Sequence, residues 1–456
     1  MAPRIVIIGG GSYQWVPKLL IDVANTPSLH DAEIVLEDVN PDPLPLMSQW
    51  VERIATLRDI GLSVTSTTDQ RRALEGADFV VVSISTGGFT SMRRDLEIPD
   101  RYGIRQSVGD SVGPGGINRA LRNIPVLVGI ARDMQEICPD AWLLNLTNPM
   151  TALCRAITRE TPVKTIGLCH ELTMTRFTLS LLLDADFRSL DLEITGVNHL
   201  PVITTFDIDG ADGFDALRDL VADSSRHGET LAFDLPDDFG TPTGPGGQWT
   251  RGDLVRKNQL KLELFRRFGV LPAAGDRHLA EFFPGFLTEQ SGWGERWGVN
   301  ITTIEDREKS QVGHVADLEA LIAAPEIPAM PSGELVAPLI DSMLRDQPRD
   351  FPLNIPNTGQ CPDLPMDVVV ESVCTADGSG VRGRDRAEAP PALAEQLRRV
   401  SASQELTVEA ALTGDRERVF EAMLADPLTS RLDWDQLQAM TDELLEATSA
   451  WLPQFA

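Results

Sequence analysis

The chain has 456 residues, 42% of them hydrophobic and 24% charged, the balance of a globular protein with two large domains. Its formal net charge of −28 argues against nucleic acid and anionic membrane as partners. Five cysteines without framework spacing, a start that runs straight into a strand, and no apolar run long enough to span a bilayer lead to the expectation of reduced thiols in the cytoplasm.

In chain order, Arg4 to Ile8 is a β-branched strand, followed by Gly9-Gly10-Gly11-Ser12 and an amphipathic helix from Trp15 to Ala24. Ala32 to Leu36 is a strand ending in Glu37-Asp38; Pro45 to Leu57 is helical, Leu62 to Thr65 a strand, and Arg71 to Glu75 a short helix. Phe79 to Ser83 is a strand, Asn118 to Glu136 a long helix, Trp142 to Leu146 a strand, Met150 to Thr158 a helix, and Lys164 to Leu168 a strand ending at Cys169. Regular alternation of strand and helix predicts a parallel α/β sheet, here a Rossmann-type domain over 1–190. The pattern then changes, and a second α/β or α+β domain for substrate, metal and oligomerisation is expected over 191–456. Leu192 to Val197 and Val202 to Ile208 read as strands, Asp209 to Gly247 as long loops around one helix, and Leu254 to Phe268 as a helix. Gly292 to Val299 reads as loop and Leu335 to Arg345 as helix. Val368 to Val373 reads as a strand, Pro391 to Ala425 as helix broken near Gly414, and Asp433 to Ala447 as a last helix.

Gly9, Gly10, Gly11 and Ser12 depart from a strict G-x-G-x-x-G, because Gln14 stands where the third glycine belongs. The strand–turn–helix–strand context still suits a dinucleotide, whose pyrophosphate approaches small residues and a helix N-terminus. Asp38 has the spacing of the acid that binds the ribose hydroxyls, which favours NAD over NADP, and Ser83 ends a neighbouring strand at the same edge. The alternative is a glycine turn with a surface acid.

Cys169-His170-Glu171 and Gly196-Val197-Asn198-His199 carry the other signal. Thiolate plus imidazole is a transition-metal ligand set, and the carboxyl ends of strands are where open α/β sheets bind ligands. Cys169 and His199 are the candidate ligands; Cys169 as a buried core thiol is the alternative. His170 is a further ligand, an acid or a sugar contact.

These elements stand among motifs that resemble family 4 glycoside hydrolases, NAD- and metal-dependent glycosidases, almost end to end. The matching stretches are Ile7 to Ser12, Gly109-Asp110-Ser111-Val112-Gly113-Pro114-Gly115-Gly116, Leu121 to Pro125, Asn145-Leu146-Thr147-Asn148-Pro149-Met150, Gly167 to Glu171, Gly196 to His199, Gln404 to Leu406 and Glu409 to Asp415. The resemblance implies a fold like lactate and malate dehydrogenases, with Cys169 and His199 on a divalent metal, typically Mn²⁺, and Asn148 on the sugar. It implies a base, Tyr or Asp, downstream of the metal histidine; Asp253 is the candidate, with a helix-start acid as its other reading. It also implies a mechanism outside two-carboxylate glycosidase chemistry, for which NAD-dependent family 4 enzymes are a known exception. In it, C3 of the sugar is oxidised, the C2 proton is removed, the aglycone is eliminated, and water addition and reduction follow.

His170 after the metal cysteine resembles the branches acting on unphosphorylated α-glycosides and α-uronides. Leu271 to Pro284 looks like the α-galacturonidase type, with α-glucuronidases close by. Arg277 would then pair a uronate carboxylate, or else a neighbouring Asp276 or Glu281. Arg94 is a second anion contact, and His278 is polar support for the site or a core histidine. The expected function is hydrolysis of α-galacturonides or related α-uronides by a homodimer or homotetramer. The rivals are a glycosidase of another unphosphorylated or sulfonated sugar, a plain NAD-dependent hydroxy-acid dehydrogenase, and an NAD sensor.

Overall fold

The computed structural model describes residues 2–231, 248–328, 332–384 and 386–456. Six parallel strands form its centre: β1 (Arg4–Ile8), β2 (Glu33–Glu37), β3 (Ser63–Thr67), β4 (Phe79–Val82), β5 (Trp142–Asn145) and β6 (Lys164–Leu168). Their order, β3-β2-β1-β4-β5-β6, is the doubly wound arrangement of dinucleotide-binding sheets. Alternate side chains enter two cores. Ile5, Ile7, Val81 and Leu144 join the cluster packed by helices Val16–Ala24 and Leu44–Arg58. Val6, Val80, Val82 and Leu143 join the one built on helix Gly113–Ile137. Both faces of the inner strands are covered, so they read as continuous apolar runs, whereas the edge strand β3 is polar and largely exposed.

The chain beyond residue 190 contributes to two sheets. β7 (Leu190–Val197), β8 (Leu200–Ile208), β9 (Ala211–Asp212) and β10 (Leu271–Pro272) form a smaller antiparallel sheet. β11 (Arg349–Pro356), β12 (Val369–Asp377) and β13 (Gly380–Gly383) return and extend the first sheet beyond β6, each antiparallel to the strand before it in the sheet. A cut at 190 therefore does not divide the first sheet from the rest.

Several elements differ from the sequence expectation. The helix expected from Leu254 to Phe268 is two, Arg251–Lys257 and Gln259–Phe268, because the Asn258 side chain donates to Leu254 O at 2.8 Å and competes with the helical ladder. Helix Ile304–Ala323 buries only Ile304 and Leu318, so it has no apolar stripe to read. β11 contains Pro352 and Pro356, which argue against a strand in sequence. Helices Gly88–Arg101, Glu171–Leu183 and Asp276–Phe282 were also not expected. Within the stretch expected as loops around one helix, Gly213–Ala222 is helical, and residues 232–247 lie outside the described residues. Among the described residues no helix is long and apolar enough to cross a membrane.

Candidate active site

The glycine turn is locked onto its neighbours. Gly9 has φ +85°, and a Cβ there would stand 2.0 Å from Ser83 O, so only glycine lets the turn pass the end of β4. Gly9 N and Gly10 N donate to Glu37 O at 2.9 and 2.7 Å. Gly11 N donates to Asp38 Oδ2 at 3.0 Å, and Asp38 Oδ1 accepts from Asn40 N at 2.9 Å. Helix Val16–Ala24 then begins without a side-chain cap. A turn of small residues, a helix N-terminus and a carboxylate at the end of β2 are what a dinucleotide's pyrophosphate and ribose require.

The second centre grows from a hairpin. Val197 pairs with Leu200, so Asn198-His199 is the two-residue turn between β7 and β8, and His199 takes φ +65°. A non-glycine residue in this conformation often marks function. His199 Nδ1 lies 2.7 Å from Ser111 Oγ, which donates to Asp110 Oδ1 at 2.7 Å. With the hydroxyl proton on Asp110, His199 must donate Nδ1–H to the hydroxyl, leaving the Nε2 lone pair for a metal. His278 stacks on His199 with centroids 3.7 Å apart and planes at 29°. Ligand-type atoms of Asp110, His199 and His278 all lie within 4.8 Å of one another. Asn148 Nδ2 donates to Asp110 Oδ2 at 3.4 Å. Asn148 Oδ1 and His278 Nδ1 are buried without a partner among the described residues, an arrangement that a metal, water or sugar oxygen would complete.

Electrostatics keep these donors in ligand form. Burial, then the neighbouring His278, pushes His199 down to about 3, so the imidazole is neutral. Burial works to raise Asp110, but its positive surroundings, His278 first and Arg119 with it, outweigh it and hold the carboxyl well below its usual range.

Cys169 follows β6 and is 8% exposed, against Met150, Cys154 and Val369. Burial pushes its thiol well up, reinforced by Glu371 and Glu171, while the Asn198 side chain bonds to it. Asn198 also donates to Glu371 Oε2 at 3.0 Å, so one residue ties the cysteine to the His199 turn. The thiol lies outside the close Asp110–His199–His278 group. A divalent cation offsets the cost of deprotonating such a thiol, so imidazole, carboxylate and adjacent thiol fit the implied metal.

His170 links the two centres. Its ring is 6.2 Å from Trp15 beside the glycine turn, and Nδ1 is 2.9 Å from Glu334 Oε1. Burial disfavours its charge, but Glu334 outweighs it and pushes the imidazole up to about 9. Behind the site, Glu281 Oε1 accepts from Val108 N at 2.7 Å and Gly109 N at 2.8 Å, fixing the loop that presents Asp110 and Ser111.

Three expected residues sit differently. Asp253 belongs to a capping box with Thr250: its Oδ2 accepts from Thr250 N at 2.8 Å and Oγ1 at 2.6 Å, while Oδ1 pairs with Arg256. Its carboxylate is 1% exposed and caps a helix, the role of an acid at N3. Arg94 is exposed on helix Gly88–Arg101 and makes no hydrogen bond or ion pair to the cluster among the described residues. Arg277 is exposed and donates to Ser107 O at 3.3 Å and to Thr302 Oγ1. Among the described residues it makes no ion pair with Asp276, whose oxygens accept from Leu260 N and Lys261 N, or with Glu281. In sequence, Asp110 and Ser111 stand out only as part of a motif, Glu281 only as a partner for Arg277, and Glu334 not at all. The Gly-Asp-Ser-Val-Gly run was a usable signal for the first pair; nothing local marks the second.

Comparison with known proteins gives the family. The family model described as family 4 glycosyl hydrolase matches residues 4–184, and that of the family's C-terminal domain matches 194–429. An alpha-galactosidase of Bacillus subtilis is 31% identical over 458 residues, covering 99% of both chains. An alpha-galacturonidase of Lachnoclostridium phytofermentans is 31% identical over 467 residues, covering 99% of this chain and 97% of the other. The crystal structure of a putative glucosidase from Bacillus subtilis superposes with TM-score 0.86 at 29% identity, covering 97% of this chain and all of the other. More distantly, a 6-phospho-alpha-glucosidase from gut microorganisms, solved with NAD and Mn²⁺, shares the fold over both whole chains at TM-score 0.79 and 20% identity. With both family models matched across nearly its whole length, the chain belongs to family 4 of the glycosyl hydrolases.

Proposed function

We propose that this protein hydrolyses unphosphorylated α-glycosides, with α-galacturonides or related α-uronides as its substrate class, using NAD and a divalent metal such as Mn²⁺. The observation that carries the reading is the Asp110–His199–His278 cluster, where Asn148 Oδ1 and His278 Nδ1 have no partner among the described residues, with Cys169 tied to the His199 turn by Asn198 and His170 near Trp15, which follows the glycine turn. Gly9 to Ser12 and Asp38 would hold the dinucleotide, with Ser83 at the edge of the turn; Cys169 and His199 would hold the metal, and Asn148 a sugar hydroxyl. When bound, the dinucleotide supplies hydride acceptance and return at C3, and the metal supplies Lewis-acid polarisation of the C2 and C3 oxygens. The residues orient these groups: Ser111 sets the His199 tautomer, Glu334 holds His170 between the two centres, and Glu281 fixes the loop of Asp110.

The uronide reading rests on Arg277, whose guanidinium is held by uncharged oxygens and so keeps its charge for a substrate anion. The similar proteins named alpha-galactosidase and alpha-galacturonidase make neutral galactosides the rival substrate. A panel of chromogenic α-galacturonide, α-glucuronide, α-galactoside and α-glucoside with catalytic NAD⁺ and Mn²⁺ tests the proposal. Aglycone release without net NADH is expected, fastest on a uronide; steady NADH accumulation would mean a dehydrogenase. Arg277→Lys should hurt the uronide more than a neutral glycoside, because lysine cannot make the paired contact. Equal loss on both would return Arg277 to structure.

A further inference from the structure

The proposed chemistry needs a group that takes the proton from C2, and Asp253 is committed elsewhere. Both its oxygens are engaged, one by Thr250 and one by Arg256, and withdrawing them would uncap a helix. The chain's two tyrosines, Tyr13 and Tyr102, lie in the first sheet's half of the sequence, and Tyr102 donates to Glu443.

We propose that His278 is the base that removes the C2 proton. The inference rests on the glycosidase reading above and names a catalytic residue for it. His278 lies face to face with His199, the candidate ligand, at 3.7 Å. A sugar whose O2 and O3 are held beside His199 brings C2 into reach of the neighbouring ring. His278 Nδ1 is buried and has no partner among the described residues, so one ring nitrogen is uncommitted. Its Nε2 lies 3.9 Å from Glu171 Oε1, and Glu171 is itself held by Gly275 N, one turn before the histidine. The negative charge of Glu171 on the Nε2 side favours the Nε2–H tautomer and leaves the lone pair on Nδ1. Asp110 stands on the same cluster, so an imidazolium formed there is flanked by two carboxylates.

The step balances. The C2–H bond of the 3-keto sugar breaks and its proton goes to His278 Nδ1. The freed electron pair forms C1=C2, conjugated with the C3 carbonyl, while the C1–O bond to the aglycone breaks. The aglycone oxygen leaves with that bonding pair and is protonated. The nicotinamide dinucleotide, when bound, would supply the hydride acceptance and return at C3 on which this ketone depends.

The same geometry admits His278 as another metal ligand, and one experiment separates the roles. Enzyme in excess over a chromogenic α-galacturonide is mixed with NAD⁺ and Mn²⁺ in D₂O. NADH absorbance, aglycone release and deuterium at C2 are followed, and Mn²⁺ affinity is measured separately by the EPR signal of the free ion. Wild type should show aglycone release and deuterium at C2. His278→Gln should bind Mn²⁺ normally and still form NADH, which also shows that it is folded and loaded. Its aglycone release and deuterium uptake should fall by about 10²-fold or more, the usual weight of a general base. Free imidazole should restore both to His278→Ala. Joint loss of Mn²⁺ affinity and NADH formation in His278→Gln would make the residue a ligand and overturn the proposal. Exchange lost in Asp253→Asn with NADH formation intact would return the role to Asp253 and overturn it equally. Wild type releasing no aglycone from any glycoside of the panel would overturn the glycosidase reading, and this proposal with it.

Discussion

The nucleotide turn and the metal centre are built in opposite ways. Gly9, Gly10, Gly11 and Asp38 come from one strand–turn–helix–strand unit, and backbone hydrogen bonds between its own strands shape the site. The proposed metal centre draws on Asp110-Ser111 before one helix, Asn148 after β5, Cys169 to Glu171 after β6, His199 on a hairpin of the other sheet, and His278 on a short helix. The first is a local conformational motif; the second is an intersection of five segments. A local motif fails gradually when one side chain is lost, because the backbone keeps its shape. An intersection fails outright when a ligand is lost, and at a distance when its supports are.

The sharpest test of that contrast is also the largest effect. Cys169→Ser and His199→Ala should each abolish turnover and Mn²⁺ binding while the fold persists, since neither hydroxyl nor methyl replaces a soft donor. Calorimetric Mn²⁺ titration alongside circular dichroism reads both, and full activity in either variant would break the comparison. At the local site the expected loss is graded. Asp38→Ala should weaken NAD⁺ by roughly 1.5–3 kcal/mol, the weight of a charged hydrogen bond, and narrow the preference over NADP⁺. Cofactor titrations of both dinucleotides measure it; a wild type that prefers NADP⁺ would sink the role given to Asp38.

Support from a distance should be visible at Ser111. Ser111→Ala removes the group that sets the His199 tautomer, and metal affinity should drop about 10–100-fold with NAD⁺ affinity unchanged. Unchanged Mn²⁺ affinity would leave the tautomer argument without consequence. The smallest effect is on stability. Burial pushes Glu281 up to about 8, against 4.5 for an ordinary glutamate. Between those values the native state binds more protons than the unfolded chain, so stability falls as pH rises through that window. Glu281→Gln keeps an acceptor for Val108 N and Gly109 N but cannot ionise. Its thermal midpoint should gain on wild type between about pH 5 and about pH 9. A constant difference across that range would show that the buried carboxyl is not what titrates.

The sequence by itself determined what short-range rules encode. Alternating β-branched runs and amphipathic helices specify a doubly wound sheet, because each strand must bury both faces. Gly9 to Ser12 with Asp38 specify a nucleotide turn, because the requirement is backbone geometry within one unit. Cys169 and His199 read as candidate donors because residue type carries ligand chemistry. Asp253 shows the limit. An acid of the right type after the metal histidine reads equally as a base or a cap, and only the folded neighbours, Thr250 and Arg256, tell where its oxygens are spent. His278 shows the converse: in sequence it reads equally as polar support for the site or as a core histidine, and packing lays it against His199. Strands β11 to β13 joining the first sheet, and Glu334 reaching His170 from 164 positions away, were likewise decided by tertiary structure alone. Long-range partners are selected by the burial of whole faces and the pairing of buried polar groups, which no local window of sequence contains.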